Sequence, residues 1–387
     1  MTQSYAPTGG GVRTYLHAKQ QYVATEARDH THVLIVPGPE DSVTRGESGV
    51  TYTVASPLVP GSKVYRLLHR SDKVLRILRA ERPDIIESHC AYNLPWTALY
   101  HRRQEPRTGV VGVYMTDLPK AYVEPVAGRI LGGWGGARAT RVAERYVRSL
   151  YGRLDATVAI SPALAGRLEA LGVNGVECVP LGVNLDVFNP ARRSEEVRAR
   201  MGASPGETLL VYAGRLDGEK RAKLVMDAFE RLPEELGARL VLVGDGPLKE
   251  ELRERAERSG RARVVPFMDS REELAALLAS SDVYVSAMPY ETFGLSVIEA
   301  QACGLPVVGV AGGAMVDRVP EGLGVGRLGP VDSVDGLVEN LTATINDADR
   351  SGMGRRGRAL VEERFSWRAT FTKMFDLYAS IADRRAR

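Results

Sequence analysis

Two glutamates and two cations carry most of the chemistry this chain could do. Glu291 and Glu299 stand eight positions apart in ETFGLSVIEAQACGLPVVGV, residues 291–310, and Arg215 and Lys220 stand in AGRLDGEK, residues 213–220. Leu295, Ile298, Ala302 and Leu305 recur at intervals of three and four, which predicts a helix over 294–303 with one face buried. Gly304 stands where that helix would end, and Pro306 where it could not continue. A helix that begins at Phe293, Gly294 and Leu295 leaves its first N–H groups, up to Ser296, without internal partners, and a glycine there lets a ligand approach the main chain. Such a start can hold an anion. Glu291, ahead of the helix, could then meet a sugar, while Glu299 could reach the rest of a nucleotide. The same residues also suit an ordinary amphipathic helix whose acids complement its dipole. Glycoside hydrolysis fits less well, because eight helical residues rise about 12 Å and a glycosidase holds its two carboxyls roughly 5 to 9.5 Å apart.

Arg215 and Lys220 follow the apolar run 209–213, which reads as a strand. They therefore lie at its carboxyl end, the side on which open α/β sheets bind ligands. If the ligand carries a diphosphate that leaves as a bond breaks, fixed cations there would stabilise the growing charge without a metal. Otherwise they are surface charges ahead of a helix over 221–232. No acidic pair at a strand end marks a metal site, and Asp332 is expected to cap the helix behind it. GDGPLK, residues 244–249, lacks the third glycine of a dinucleotide fingerprint.

The elements that must position these groups alternate between strand and helix. Strands are predicted over 32–37, 49–54, 84–88, 108–114, 155–160 and 176–179, then over 209–213, 240–243, 264–267, 283–286 and 306–310. The later runs are continuous and apolar, as in a parallel sheet covered on both faces. Helices are expected from about residue 12, over 63–82, 137–153 and 367–383, and after the Ser161-Pro162 start. The glycine-rich segment 126–136, with Trp134 between glycine pairs, reads as a mobile loop. Gly9-Gly10-Gly11 precedes the first helix and suits either close ligand contact or a plain tight turn. PLGVNLDVFNP, residues 180–190, breaks the rhythm and reads as a linker. The result is an α/β chain of two Rossmann-like domains facing a cleft, with boundaries at 1–182, 183–365 and a terminal helix over 366–387. The aromatic stripe on that last helix reads as packing.

At 387 residues the chain has room for two domains, and 44% hydrophobic with 26% charged residues describes an ordinary globular protein. A net charge of +3 implies no nucleic-acid field, and pairs such as Arg355-Arg356 and Arg384-Arg385 read as solvated helix faces. Cys90, Cys178 and Cys303 have neither metal-ligand spacing nor a disulfide framework. With no signal peptide or membrane-length apolar run, a cytoplasmic protein is expected. Membrane association is possible but not indicated, and the oligomeric state is left open.

The stretch from Glu291 to Glu299 resembles the E-x7-E motif of retaining glycosyltransferases of the GT-B class, in particular family 4, the glycogen synthase and α-mannosyltransferase-like branch. The resemblance covers nearly the whole chain. It implies a metal-independent transferase with no cofactor, using a GDP- or UDP-linked sugar as donor and a small-molecule, glycan or lipid acceptor. By the same resemblance Arg215 and Lys220 neutralise the diphosphate, the amides from Phe293 to Ser296 bind it, Glu291 holds the sugar and Glu299 the ribose. Main-chain groups at Phe267 and Met268 hold the base, Gly10 and Gly11 lie against donor phosphate or acceptor, and the terminal helix crosses back to the first domain. The run Tyr114-Met115-Thr116-Asp117 departs from the family, which often has histidine at the second position near the donor sugar's outer hydroxyl. Met115 is only a weak acceptor, so the expected donor is a deoxy or otherwise modified sugar, as in specialised metabolism, unless Met115 is simply core. A sugar-nucleotide 2-epimerase, which would consume donor without acceptor, and a non-catalytic two-domain sugar-binding protein are the competing readings. A phosphorylase would carry lysine-bound pyridoxal phosphate.

Overall fold

Short apolar runs closed by turn residues build the sheets of both halves of the chain. The computed structural model describes residues 1–3, 5, 11–60, 62 and 65–387, so Gly9 and Gly10 lie outside the described residues. The chain divides into one unit of Met1–Leu181 with Trp367–Arg387 and a second of Gly182–Ser366.

In the first unit, β1 (His32–Gly38), β2 (Ser42–Gly46) and β3 (Gly49–Ala55) lie in the order β1-β3-β2, with β2 antiparallel to β3. β4 (Ile85–Ser88), β5 (Gly109–Tyr114), β6 (Ala156–Ala159) and β7 (Val176–Cys178) pair in parallel in that order. The first residues bridge the two sheets: the Thr2 N–H donates to the Ile35 carbonyl at 3.2 Å, and the His89 N–H donates to the Met1 carbonyl at 3.2 Å. The terminal helix Trp367–Ala386 buries Phe371, Met374 and Ile381, and Phe371 meets the rings of Tyr15 and Tyr22 at 5.3 and 5.4 Å. Beneath it, Glu87 of β4 takes an ion pair from Lys19 at 2.7 Å and a bond from the Tyr378 hydroxyl. Burial alone would push the Glu87 carboxyl up, but Lys19 and His89 hold it well below the usual carboxylate range. Such a pair gives little net stability but is costly to break from one side. It therefore fixes the first helix, Gly11–Thr25, and the terminal helix on the same sheet.

In the second unit, β8 (Thr208–Ala213), β9 (Ala238–Val243), β10 (Ala262–Val265), β11 (Val283–Val285), β12 (Val307–Val310) and β13 (Gly326–Gly329) form one parallel sheet. Their order is β10-β9-β8-β11-β12-β13. Counted along the chain from β8 this is 3-2-1-4-5-6, the Rossmann order, and its direction reverses between β8 and β11. β8 and β12 are buried along their whole length, as their unbroken apolar runs require.

Several sequence expectations are corrected. Residues 126–136 are not a loop: they belong to the helix Glu124–Tyr151, which bends at Gly132 (φ 72°, ψ 177°). The glycines that suggested mobility are what permit the bend. The helix expected over 63–82 is only Ser71–Glu81, because Arg66 pairs instead with Leu58 in an antiparallel bridge. Asp332 does not cap the next helix; Ser333 does, its hydroxyl accepting from the Gly336 N–H at 3.0 Å, while Asp332 is ion-paired to Arg221 at 2.7 Å. β10 stops before Pro266, which has no N–H for the ladder. Arg385 and Arg356 are not merely solvated: the first bonds Asp155, and the second donates to the Gly324 carbonyl at 2.8 Å.

Candidate active site

The reversal between β8 and β11 brings two loops together at their carboxyl ends, and these loops carry Lys220 and Glu291. Lys220 Nζ stands 2.9 Å from Glu291 Oε2, with the two side chains 24% and 10% exposed. The backbone N–H groups of Phe293 and Gly294 lie close enough to the Glu291 carboxylate to help hold its pKa down. Burial pushes that carboxyl up, but Lys220 and the two amides more than reverse the effect and hold it below the usual range. The result is a small polar centre in which one carboxylate, one ammonium and the opening amides of the helix Leu295–Ala302 face one another.

Each loop is braced by its neighbours. Asp217 accepts from the Lys220 N–H at 2.9 Å and bonds the Arg215 guanidinium, which also reaches Glu219 at 2.6 Å. The Tyr212 hydroxyl donates to the Arg215 carbonyl at 2.7 Å, and the turn after β9 supports the loop through Leu216 N–H to Asp245 carbonyl at 2.9 Å. The buried Tyr284 hydroxyl bonds both the Ala213 carbonyl, at 3.2 Å, and Ser296 Oγ, at 2.8 Å, so it ties the end of β8 to the start of the helix. Arg318, buried between the rings of Phe293 and Phe365 at 4.1 and 4.2 Å, donates to the Phe293 carbonyl at 2.7 Å.

The Glu291 backbone is held from the loop after β12, where the Ala314 N–H donates to the Glu291 carbonyl at 2.6 Å. Gly313 lies beneath it with φ +54°, and a Cβ there would fall 2.3 Å from that same carbonyl oxygen. Gly313→Ala is therefore expected to cost about 1–3 kcal/mol of stability and to shift Glu291. A lower Tm together with lower kcat/KM checks this; unchanged values for both would show that the loop does not position Glu291.

Comparison with known proteins fits this geometry. The family model described as glycosyl transferases group 1 matches residues 193–359, and that described as Glycosyltransferase Family 4 matches residues 9–187. A GDP-mannose-dependent α-(1-6)-phosphatidylinositol dimannoside mannosyltransferase of Mycobacterium tuberculosis is 31% identical over 307 residues, covering 79% of this chain and 76% of that protein. The chain belongs to glycosyltransferase family 4. A second relative, a GDP-mannose-dependent α-mannosyltransferase of Mycobacterium tuberculosis, is 28% identical and covers 100% of this chain and 97% of that protein. Among solved structures, sucrose-phosphate synthase from Thermosynechococcus elongatus matches with a TM-score of 0.77 at 21% identity, over 98% of this chain and 96% of that one. The fold is GT-B, and the protein is a glycosyltransferase that uses a nucleotide sugar.

Within this family 4 glycosyltransferase each of the other expected site residues has surroundings of its own. Glu299 is 3% exposed and bonded to Arg271, whose guanidinium lies 4.7 Å over the Phe188 ring. Burial raises its pKa, and Arg271 only partly opposes this. Arg215 is half exposed and held by its two acids. Phe267 is exposed and Met268 half-buried, just beyond β10. In the first unit, Gly11 opens its helix exposed to solvent, while Met115 is 8% exposed at the end of β5. Asp117 is engaged by its own surroundings: Arg167 pairs with it at 3.1 Å, and the Tyr114 hydroxyl donates to it at 3.3 Å. It thus braces the loop after β5.

Sequence reasoning passed over Tyr284, Gly313, Arg318 and Arg271. Tyr284 looks like one more apolar residue of a buried strand, and Arg318 like a surface charge. Gly312-Gly313 after a buried strand is the one signal that could have been read, as a place where two backbones meet.

Proposed function

We propose that this enzyme is a retaining glycosyltransferase that moves a hexose from GDP-mannose or a related nucleoside-diphosphate sugar to a glycan or lipid-linked acceptor, without a metal or other cofactor. The observation that carries this reading is the Lys220–Glu291 pair set against the Phe293 and Gly294 amides at the strand reversal. On donor binding, the Lys220 ammonium and the helix-start amides take the diphosphate and stabilise its charge as the glycosidic bond lengthens. Glu291, released from part of that contact, bonds hydroxyls of the sugar, and Glu299 takes the ribose in exchange for Arg271. The relatives named as GDP-mannose-dependent support the choice of donor. Lys220 already supplies positive charge of the kind that a divalent ion would otherwise bring to a leaving diphosphate, which supports metal-independence.

The test is transfer from a panel of GDP-, UDP- and ADP-sugars to candidate acceptors, with and without EDTA, the anomeric configuration of the product being read by NMR. The reading expects α-linked product from an α-linked donor, GDP-mannose preferred, and activity that survives chelation. Inverted product, loss of activity in EDTA that Mg²⁺ restores, or donor consumption without an acceptor would each overturn part of it, the last in favour of an epimerase.

Met115 supports a second reading of the donor. A thioether in place of an imidazole cannot donate to a sugar hydroxyl, and an apolar pocket rejects an added hydroxyl only weakly. Met115→His is expected to shift preference toward the fully hydroxylated hexose over its deoxy analogue by roughly tenfold or more. An unchanged donor ratio would leave Met115 as packing alone.

A further inference from the structure

The bend at Gly132 turns residues 119–151 into a helical hairpin. A Cβ on Gly136 would lie 2.8 Å from the Gly128 Cα, although eight residues of unbroken helix would separate these positions by about 12 Å. The two arms therefore lie against each other, and the glycines at 128 and 136 allow the approach. At the apex, Ile130, Leu131 and Trp134 are 73%, 62% and 76% exposed. Along the second arm, Arg138, Arg141, Arg145 and Arg148 follow at spacings of three, four and three, so they share one face, and all four are exposed. Arg138 lies 5.9 Å from the centre of the Trp134 ring, which joins the apolar apex to the basic stripe. The stripe ends at a hollow of about 310 Å³ where Arg145, Arg148 and Arg153 meet. The acid on this arm, Glu144, is engaged by Arg167, so it does not neutralise the stripe.

We propose that this hairpin docks the enzyme on an anionic phospholipid surface, with Ile130, Leu131 and Trp134 entering the headgroup boundary and the arginines on the phosphates. Three large apolar side chains at a convex tip suit a soft surface into which they can sink, whereas a protein groove would require a matching concavity. Tryptophan and arginine are the side chains that settle at such a boundary, with an apolar body inside and a polar end in water. The uncompensated positive stripe selects lipids of negative charge. Among the described residues no helix is long and apolar enough to cross a membrane, so the contact is peripheral.

The inference rests on exposure and charge, not on the choice of donor, and its test is separable from catalysis. The full chain is floated with vesicles of phosphatidylcholine alone or mixed with phosphatidylglycerol, and tryptophan emission is recorded. The proposal expects binding to the mixed vesicles, weakened by salt, with a blue shift that disappears in Trp134→Phe although Trp96 and Trp367 remain. Ile130→Ser combined with Leu131→Ser should lower vesicle partition at least about tenfold, and Arg138→Gln with Arg141→Gln should remove the preference for the anionic lipid. The thermal shift on adding GDP should be unchanged in both double variants, which shows that they fold. No flotation with anionic vesicles, or flotation that the Ile130/Leu131 variant leaves intact, would overturn the proposal. Binding to RNA of comparable strength, without a blue shift, would replace it with a purely electrostatic surface.

Discussion

Lys220→Ala is expected to lower kcat/KM by at least about a hundredfold, the usual cost of removing a preorganised group that meets charge developing in the transition state. The half-buried ammonium stands 2.9 Å from Glu291 and beside the amides of Phe293 and Gly294, so the substitution removes the one full positive charge from that centre. Its loss has a second consequence. With Lys220 gone, burial of Glu291 is opposed by the two amides alone, and its carboxyl must rise. In the wild type the depressed carboxyl contributes stability that is present above the ordinary carboxylate pKa and is lost as pH falls through the lower folded value. In the variant the folded value rises toward the unfolded one, so that window narrows and the loss of Tm on acidification should be smaller than in the wild type, while the acid limb of residual activity, which follows the folded carboxyl, should move to higher pH. Lys220→Met keeps the stem without the charge and should behave like the alanine variant. Near-normal kcat/KM in either would remove Lys220 from the chemistry, and an unmoved acid limb would break the link to Glu291. Arg215→Ala is expected to cost less, because Arg215 is half exposed and already shared between Asp217 and Glu219.

The parts of this site that are visible in the sequence are those set by local pattern. The apolar runs of β8 and β12, the three-and-four spacing of Leu295, Ile298 and Ala302, and the Gly304-Leu305-Pro306 stop each follow from hydrogen bonding and burial within one short segment. They locate the helix Leu295–Ala302 to within a residue at each end and place Arg215 and Lys220 at a strand terminus. What stayed hidden depends on distant partners. β13 has no apolar run and forms because β12 offers it an edge. Gly313 matters only because Glu291, far back along the chain, crosses over it. The pairing of Asp117 with Arg167 stayed hidden because the two stand fifty residues apart. The hairpin at Gly132 was misread for the opposite reason: five glycines suggest mobility, and the close-packing role of two of them appears only once Gly128 is found against Gly136.

The two glutamates should separate cleanly when their variants are compared. Glu299 is almost fully buried and bonded to Arg271, so Glu299→Ala frees an arginine that is itself 41% exposed and can turn to solvent. The fold should therefore survive, while a charge-assisted bond to the nucleotide, worth about 1.5–3 kcal/mol, is lost. That corresponds to weaker nucleoside diphosphate binding by roughly ten- to hundredfold. Glu291→Ala works the other way. It leaves Lys220 and the helix-start amides free for phosphate, so nucleoside diphosphate affinity should hold or tighten slightly, yet the sugar loses its hydroxyl contact and transfer should fall by about a hundredfold. Calorimetry with GDP and UDP, paired with kcat/KM on each variant, tests both roles together. If Glu291→Ala weakens the nucleotide and Glu299→Ala spares it, the roles are reversed. If neither affinity nor turnover moves in Glu299→Ala, the carboxylate is only the anchor of Arg271, and the nucleotide ribose must be held elsewhere.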